Sequence, residues 1–152
     1  MTSISVKELY LSNACIKYTK ETDIYVKIKQ HPYFLALKHN SSRRYNKYMK
    51  CSEYQHNKES GTWKVFYNIY IDVKYNGFDF ANPDYIKVKY MKDDRIKIIH
   101  GRHRCCILYF IYGSKLKFVV DDTGVVVDIL SSHNVKKLNM KTVAPMELAT
   151  RK

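Results

Sequence analysis

Acidic residues are scarce in this chain. Only 14 Asp and Glu stand against 27 Lys and Arg, leaving a formal charge of +13. An excess of that size attracts polyanions and does not by itself choose among nucleic acid, nucleotides and anionic membrane surfaces. The four cysteines, Cys15, Cys51, Cys105 and Cys106, form no C-x-x-C pair and have no zinc-like histidine spacing around them. No metal site is therefore expected, and all four should be reduced thiols. No apolar run approaches the roughly 20 residues of a membrane span, and the N-terminus lacks the charged, apolar and cleavage regions of a secretory signal. The expectation is an intracellular protein, cytoplasmic or nuclear. Internal repeats are missing too, which removes solenoid architectures. With 152 residues the chain is long enough for one domain with a core and too short for two comfortable ones.

The most informative stretch is Ile96–Gly113, IKIIHGRHRCCILYFIYG. Ile96, Ile98 and Ile99 have strand character, Gly101 interrupts them, and Cys105 to Ile111 form an almost wholly apolar helical segment with Gly113 at the stop. Between the two elements lie His100, Gly101, Arg102, His103 and Arg104. Imidazoles and guanidiniums are costly beside apolar elements unless an anion or polar group meets them. A helix N-terminus supplies unpaired N–H groups and the positive end of the helix dipole, so a phosphate can dock there. Gly101 would let the backbone approach closely, Arg102 or Arg104 would clamp the phosphate, and His103 would donate a further hydrogen bond. The alternative is a strand–turn–helix whose basic residues face solvent.

This stretch resembles the ParB/sulfiredoxin-like superfamily, whose signature is a strand, then Asp-Gly-x-His-Arg or Gly-Gly-Cys-His-Arg, then an apolar helix. Gly101, His103 and Arg104 match it. Trp63–Gly77 resembles the helix that precedes the signature and Asp84–Val88 the strand before its hairpin, so the best-matching part spans 63–120. His31-Pro32-Tyr33-Phe34 with Tyr45 and Tyr48 is similar to a subgroup of ParB-like proteins associated with surface-polysaccharide gene clusters. The resemblance implies a mixed α+β fold, with a small sheet and flanking helices over 1–130, and a nucleotide or other phosphate ligand. ATP or CTP with magnesium is the cofactor of that reading, with phosphotransfer to a small molecule as the activity. Arg102 stands where the sulfiredoxins have their catalytic cysteine, so sulfinic-acid reduction lacks its nucleophile. His100 stands where the signature has an acid and cannot supply its fixed negative charge.

Elsewhere the chain yields coarser expectations. Val6, Leu9 and Tyr10 can line a helical turn, with Ser5 and Glu8 as a capping box. Ile24, Val26 and Ile28 alternate as a strand does. No acid falls within Lys29–His39, where nucleotide-phosphorylating members of the superfamily tend to place a catalytic carboxylate. Tyr33–Lys38 reads as a short helix packing Phe34, Leu35 and Leu37 inward, and His31 before it as structural. In Ser41–Lys58, Arg43, Arg44, Lys47 and Lys50 are interleaved with Tyr45, Tyr48 and Tyr54. This pattern suits phosphates held by charge and bases held by stacking, or alternatively a solvated helix anchored by its tyrosines. Ser60–Asn76 is the clearest helix, with Trp63, Phe66, Tyr67, Tyr70 and Ile71 on one face and Gly77 as its stop. Tyr85–Tyr90 and the Ile96 strand form a hairpin through residues 91–95, and 116–120 with 124–130 form another. Residues 131–152 read as a basic tail.

Three functions remain open at this point: a nucleotide- or phosphate-binding protein, a non-catalytic DNA- or RNA-binding accessory protein contacting backbone phosphates through Arg43–Lys50 and the loop, and a purely structural or partner-binding domain. Glu59, Asp79, Asp84 and His100 are the chemically eligible general bases.

Overall fold

The computed structural model describes residues 1–16, 23–51, 62–80 and 85–131. In chain order the elements are Thr2–Ser5 (β1), Tyr10–Ser12 (β2), Tyr25–Lys27 (β3), Pro32–His39 (α1), Ser42–Met49 (α2), Trp63–Asn76 (α3), Lys87–Tyr90 (β4), Ile96–His100 (β5), Arg102–Tyr112 (α4), Lys117–Val120 (β6) and Val126–Leu130 (β7). The architecture is mixed α+β, as the sequence implies, with its strands divided between two sheets. One sheet is antiparallel in the order β1-β6-β7, and the other runs β3-β2-β5-β4. In the second, β2 pairs with β5 in parallel and the remaining neighbours are antiparallel.

Period-two alternation sorts the four-stranded sheet into two faces. Leu11 lies opposite Val26 and Val88 opposite Ile98, and Leu11, Ile98 and Val88 are buried in the core. The adjacent row, Lys27, Tyr10, Lys97 and Lys89, runs across all four strands on the other face. The two sheets meet where the Val88 amide donates to the Gly124 carbonyl and the Val126 amide to the Ile86 carbonyl, both at 2.9 Å. Gly124 has φ +90, and any Cβ there would run into the Val88 carbonyl, so glycine is required at this junction.

Helix α4 is the central helix, contacting α1 and α3, and Cys105 through Leu108 are fully buried. Its Gly113 and the Gly77 after α3 end their helices at positive φ, as expected. Thr62 caps α3 by accepting from the Val65 amide at 3.3 Å, which fixes the start at Trp63, while Ser60 lies outside the described residues.

Several expectations are corrected. Around Val6–Glu8 there is a single 3-10 turn, flanked by strands, and Ser5 makes no side-chain cap. Val6 and Leu9 are buried there because β1 and β2 carry them into the two sheets. In α1 the inward residues are Tyr33, Ala36 and Leu37, the i, i+3, i+4 set, while Phe34 and Leu35 are only half-buried. Cys105 and Cys106 are free, buried thiols, but Cys15 and Cys51 form a disulfide, not the reduced pair expected. The turn after β2 and the C-terminal end of α2 bring their Cα atoms within 5.8 Å, a proximity created by tertiary packing and invisible as a local spacing. The tail 132–152 and the residues Tyr54, Glu59 and Asp84 lie outside the described residues. Among those described, no helix is long and apolar enough to cross a membrane.

Tyr109 is buried in α4 against Phe34, and its hydroxyl has no hydrogen-bond partner among the described residues. An unsatisfied buried hydroxyl costs about 1–3 kcal/mol. Tyr109→Phe keeps the ring and removes the cost, so urea unfolding should show a gain of roughly 1 kcal/mol. A loss would mean that the hydroxyl contributes to stability.

Candidate functional site

The site is built at the junction of β5 and α4. Gly101 has φ +83, and an added Cβ would lie 2.8 Å from the Tyr85 carbonyl oxygen and 2.9 Å from Ile86 Cγ1. The turn is thus pressed against the residues leading into β4, and the Cys105 amide closes the first helical turn by donating to the Gly101 carbonyl at 2.9 Å. Gly101 offers no side-chain cap, and the first turn contains no acid. It carries Arg102, His103 and Arg104 instead. Cations at the positive end of a helix dipole are each unfavourable by about 0.3–1 kcal/mol.

Consecutive residues on a helix step by about 100°, so the three side chains go to three places. Arg102 donates from Nη1 to Ser12 Oγ at 2.7 Å, at the end of the neighbouring parallel strand. His103 turns into the aromatic core. Its ring stacks on Tyr33 at 4.0 Å, meets Phe66 edge-on at 5.1 Å, and its Nε2 is hydrogen-bonded to Tyr45 Oη at 3.0 Å. Desolvation, reinforced by Arg102 and Arg104, pushes His103 down to about 3, and burial raises Tyr45 well above the usual phenol range. Both are therefore neutral at pH 7. Arg104 lines a cleft of about 320 Å³ together with Asn68, Asp72 and Val73 of α3 and with Asp79 just beyond it. Asp72 accepts from the Asn76 side chain at 2.8 Å. His100 is exposed and lies 4.6 Å from the Tyr85 ring.

The five loop residues are thus contiguous in the chain, but their side chains do not converge on one point. Gly101 and the two arginines surround the helix N-terminus, His103 is held by Tyr45, and His100 sits at the strand end. Of the eligible bases, Asp79 shares the cleft with Arg104.

Ser12 is a partner that sequence reasoning missed. Its carbonyl accepts from His31 Nε2 at 3.0 Å and from the Tyr48 hydroxyl at 3.4 Å, while its own hydroxyl receives Arg102. His31 is fully buried and caps α1, its Nδ1 accepting from the Tyr33 amide at 3.1 Å. With Nε2 donating and Nδ1 accepting, the ring is neutral. Burial holds it down to about 3. The structural reading of His31 agrees with this geometry. Asn68 and Asp72 were also missed, since they lie on the polar side of a helix read for its apolar face.

On α2, Arg43, Arg44, Lys47 and Lys50 are exposed, whereas Tyr45 and Tyr48 are buried. The helix is amphipathic, and those two tyrosines have no free face for a base. Among the described residues of the interleaved pattern, the cations face outward and the tyrosines inward. Among the described residues no group of three or more His, Cys, Asp or Glu gathers closely enough to hold a metal ion.

No family model matches the chain, and no curated protein or solved structure matches it either.

Proposed function

We propose that this is a ParB/sulfiredoxin-like protein that binds a nucleotide or another phosphate ligand at the N-terminus of α4. The observation that carries the reading is the charge placement: two guanidiniums and no acid on the first turn of an uncapped helix. Left alone, that placement is unfavourable, and a bound anion reverses its sign. Arg104 is the principal ligand residue, because it borders a cleft with room for a ligand while Arg102 is braced on Ser12. For ATP or CTP with magnesium, Asp72 and Asp79 are oxygen donors of the kind this ion takes beside phosphates. The ion would neutralise phosphate charge next to the two carboxylates. Transfer to an acceptor also needs a base, and among the described residues Asp72 and Asp79 are the carboxylates that share the cleft with Arg104. A nucleotide ligand implies a cytoplasmic or nuclear setting, where disulfides such as Cys15–Cys51 are uncommon.

A thermal-shift panel of ATP, CTP and inorganic phosphate, with and without magnesium, tests the reading. A ligand at 100 times its Kd adds about 2.7 kcal/mol. A charge-assisted hydrogen bond contributes about 1.5–3 kcal/mol, so Arg104→Ala should weaken the responding ligand roughly 10- to 150-fold. Arg104→Lys should recover part of that, since it keeps the charge and loses the planar fork. If nothing in the panel stabilises the wild type, the reading is wrong.

The exposed cations of α2 favour a second reading, a non-catalytic DNA- or RNA-binding accessory protein. Its signature is an affinity for duplex DNA that falls steeply with salt and drops on charge reversal at Arg43 and Arg44, with mononucleotide binding unchanged.

A further inference from the structure

The outer face of the four-stranded sheet, far in sequence from α2, carries a pattern that packing does not explain. Its central row is Lys27, Tyr10, Lys97 and Lys89, one residue from each strand. Lys89 and Lys97 sit directly opposite each other on an antiparallel pair, an arrangement that destabilises a sheet. Neither has an acidic partner among the described residues; Lys97 donates to the Tyr25 hydroxyl at 3.3 Å. Lys27 is paired with Glu8 at 3.4 Å, and Arg95 with Asp23 and Asp93.

Two tyrosines lie among these cations. The Arg95 guanidinium is 5.0 Å from the Tyr10 ring and Lys27 Nζ is 5.9 Å from it, while Lys97 Nζ is 5.3 Å from the Tyr25 ring. Both tyrosines are partly exposed, Lys89 is exposed, and Ile99, two residues beyond Lys97 on the same face, is 43% exposed. Nothing described covers this surface.

We infer that this sheet face binds single-stranded nucleic acid, independently of the α4 site. Two facing lysines without acid partners among the described residues supply the phosphate contacts, and relief of their mutual repulsion favours the bound state. Tyr10 and Tyr25 supply the stacking surfaces. The cations over their rings are mobile side chains, and a phosphate offers each an alternative partner when a base takes its place on the ring. An acidic protein surface would satisfy the lysines but would make no use of aromatic faces. A duplex keeps its bases stacked on one another and would leave the rings idle.

The test uses the full chain, a fluorescein-labelled 15-residue oligouridylate and the same strand annealed to oligoadenylate, followed by fluorescence anisotropy over a salt series. The Lys89→Glu/Lys97→Glu double variant should lose at least about tenfold in single-strand affinity, and its log–log salt slope should fall by roughly 1.4. Tyr10→Leu should weaken the single strand about 5- to 100-fold and the duplex hardly at all. Lys89→Glu alone supplies a separate readout. It places opposite charges across the pair, so Tm should rise by up to about 3 °C while affinity falls. Because that variant gains stability, a loss of binding cannot be ascribed to misfolding. The inference is overturned if the oligouridylate does not bind, if the lysine variants bind it as wild type does, or if Tyr10→Leu affects single strand and duplex alike. Loss of single-strand binding on charge reversal at Arg43 and Arg44, with the sheet variants unaffected, would overturn it in favour of α2.

Discussion

Acidification from pH 7 to pH 4 is expected to destabilise this protein by several kcal/mol, with the buried His31 and His103 as the main causes. The His31 ring is fully buried, and both nitrogens are committed, one as acceptor at the start of α1 and one as donor to Ser12. Burial lowers its pKa from 6.5 to about 3. A base whose folded pKa is depressed contributes stability that is complete above the unfolded pKa and is lost as pH falls towards the folded value. The window is therefore pH 6.5 down to about 3, and the full effect of one such group is on the order of 4 kcal/mol. His103 shifts in the same direction and adds to the loss. Asp23 and Asp121, held below the usual carboxylate value by Arg95 and by Thr123 respectively, lose their contributions only at more acid pH. Thermal unfolding followed by circular dichroism at half-unit steps measures this directly. His31→Asn, which keeps a capping acceptor and removes the titration, should start lower at pH 7 and show a flatter profile between pH 6.5 and 4. A wild-type Tm that stays level from pH 7 to 4 would refute the account.

Gly101→Ala should be the most damaging small substitution at the candidate site. Its positive φ strains any L-residue by about 1–3 kcal/mol, and the new methyl would meet the Tyr85 backbone carbonyl, which cannot swing aside as a side chain can. A comparable overpacking term of about 1–3 kcal/mol brings the expected loss to roughly 3 kcal/mol or more. Gly113 is the control. It has φ +88 but open space within 4 Å, so Gly113→Ala incurs the strain alone. Urea unfolding of the two variants separates the terms, and equal losses would show that residues 85–86 can retreat from the junction.

Contiguous patterns were the legible part of the fold. The α3 periodicity, the two hairpins, the β5–Gly101–α4 junction and the glycine stops all signal themselves within a dozen residues. What was not legible depends on distant partners. β1 and β2 are strands of four and three residues with little alternation of their own, and they exist because β6 and β5 recruit them. For the same reason Arg102 could be named from sequence while Ser12 could not, and the Cys15–Cys51 bond went unseen. Tyr45 and Tyr48 were ambiguous for a different reason, and their burial agrees with the tyrosine-anchored helix. A tyrosine among arginines fits a base-stacking surface and a buried anchor equally well, and only burial decides between them.

The parallel pairing of β2 with β5 has a consequence for biosynthesis. Thr2 finds its sheet partner at Val120 and Tyr10 its parallel partner at Lys97, so neither sheet can close until those later strands have been made. At roughly 5–20 residues per second the first strand waits several seconds for its neighbour, with Val6, Leu9 and Leu11 left without the core that buries them. Until then those apolar side chains stay exposed on the nascent chain, and a transcript truncated before the β6 codons would leave β1 without its sheet partner.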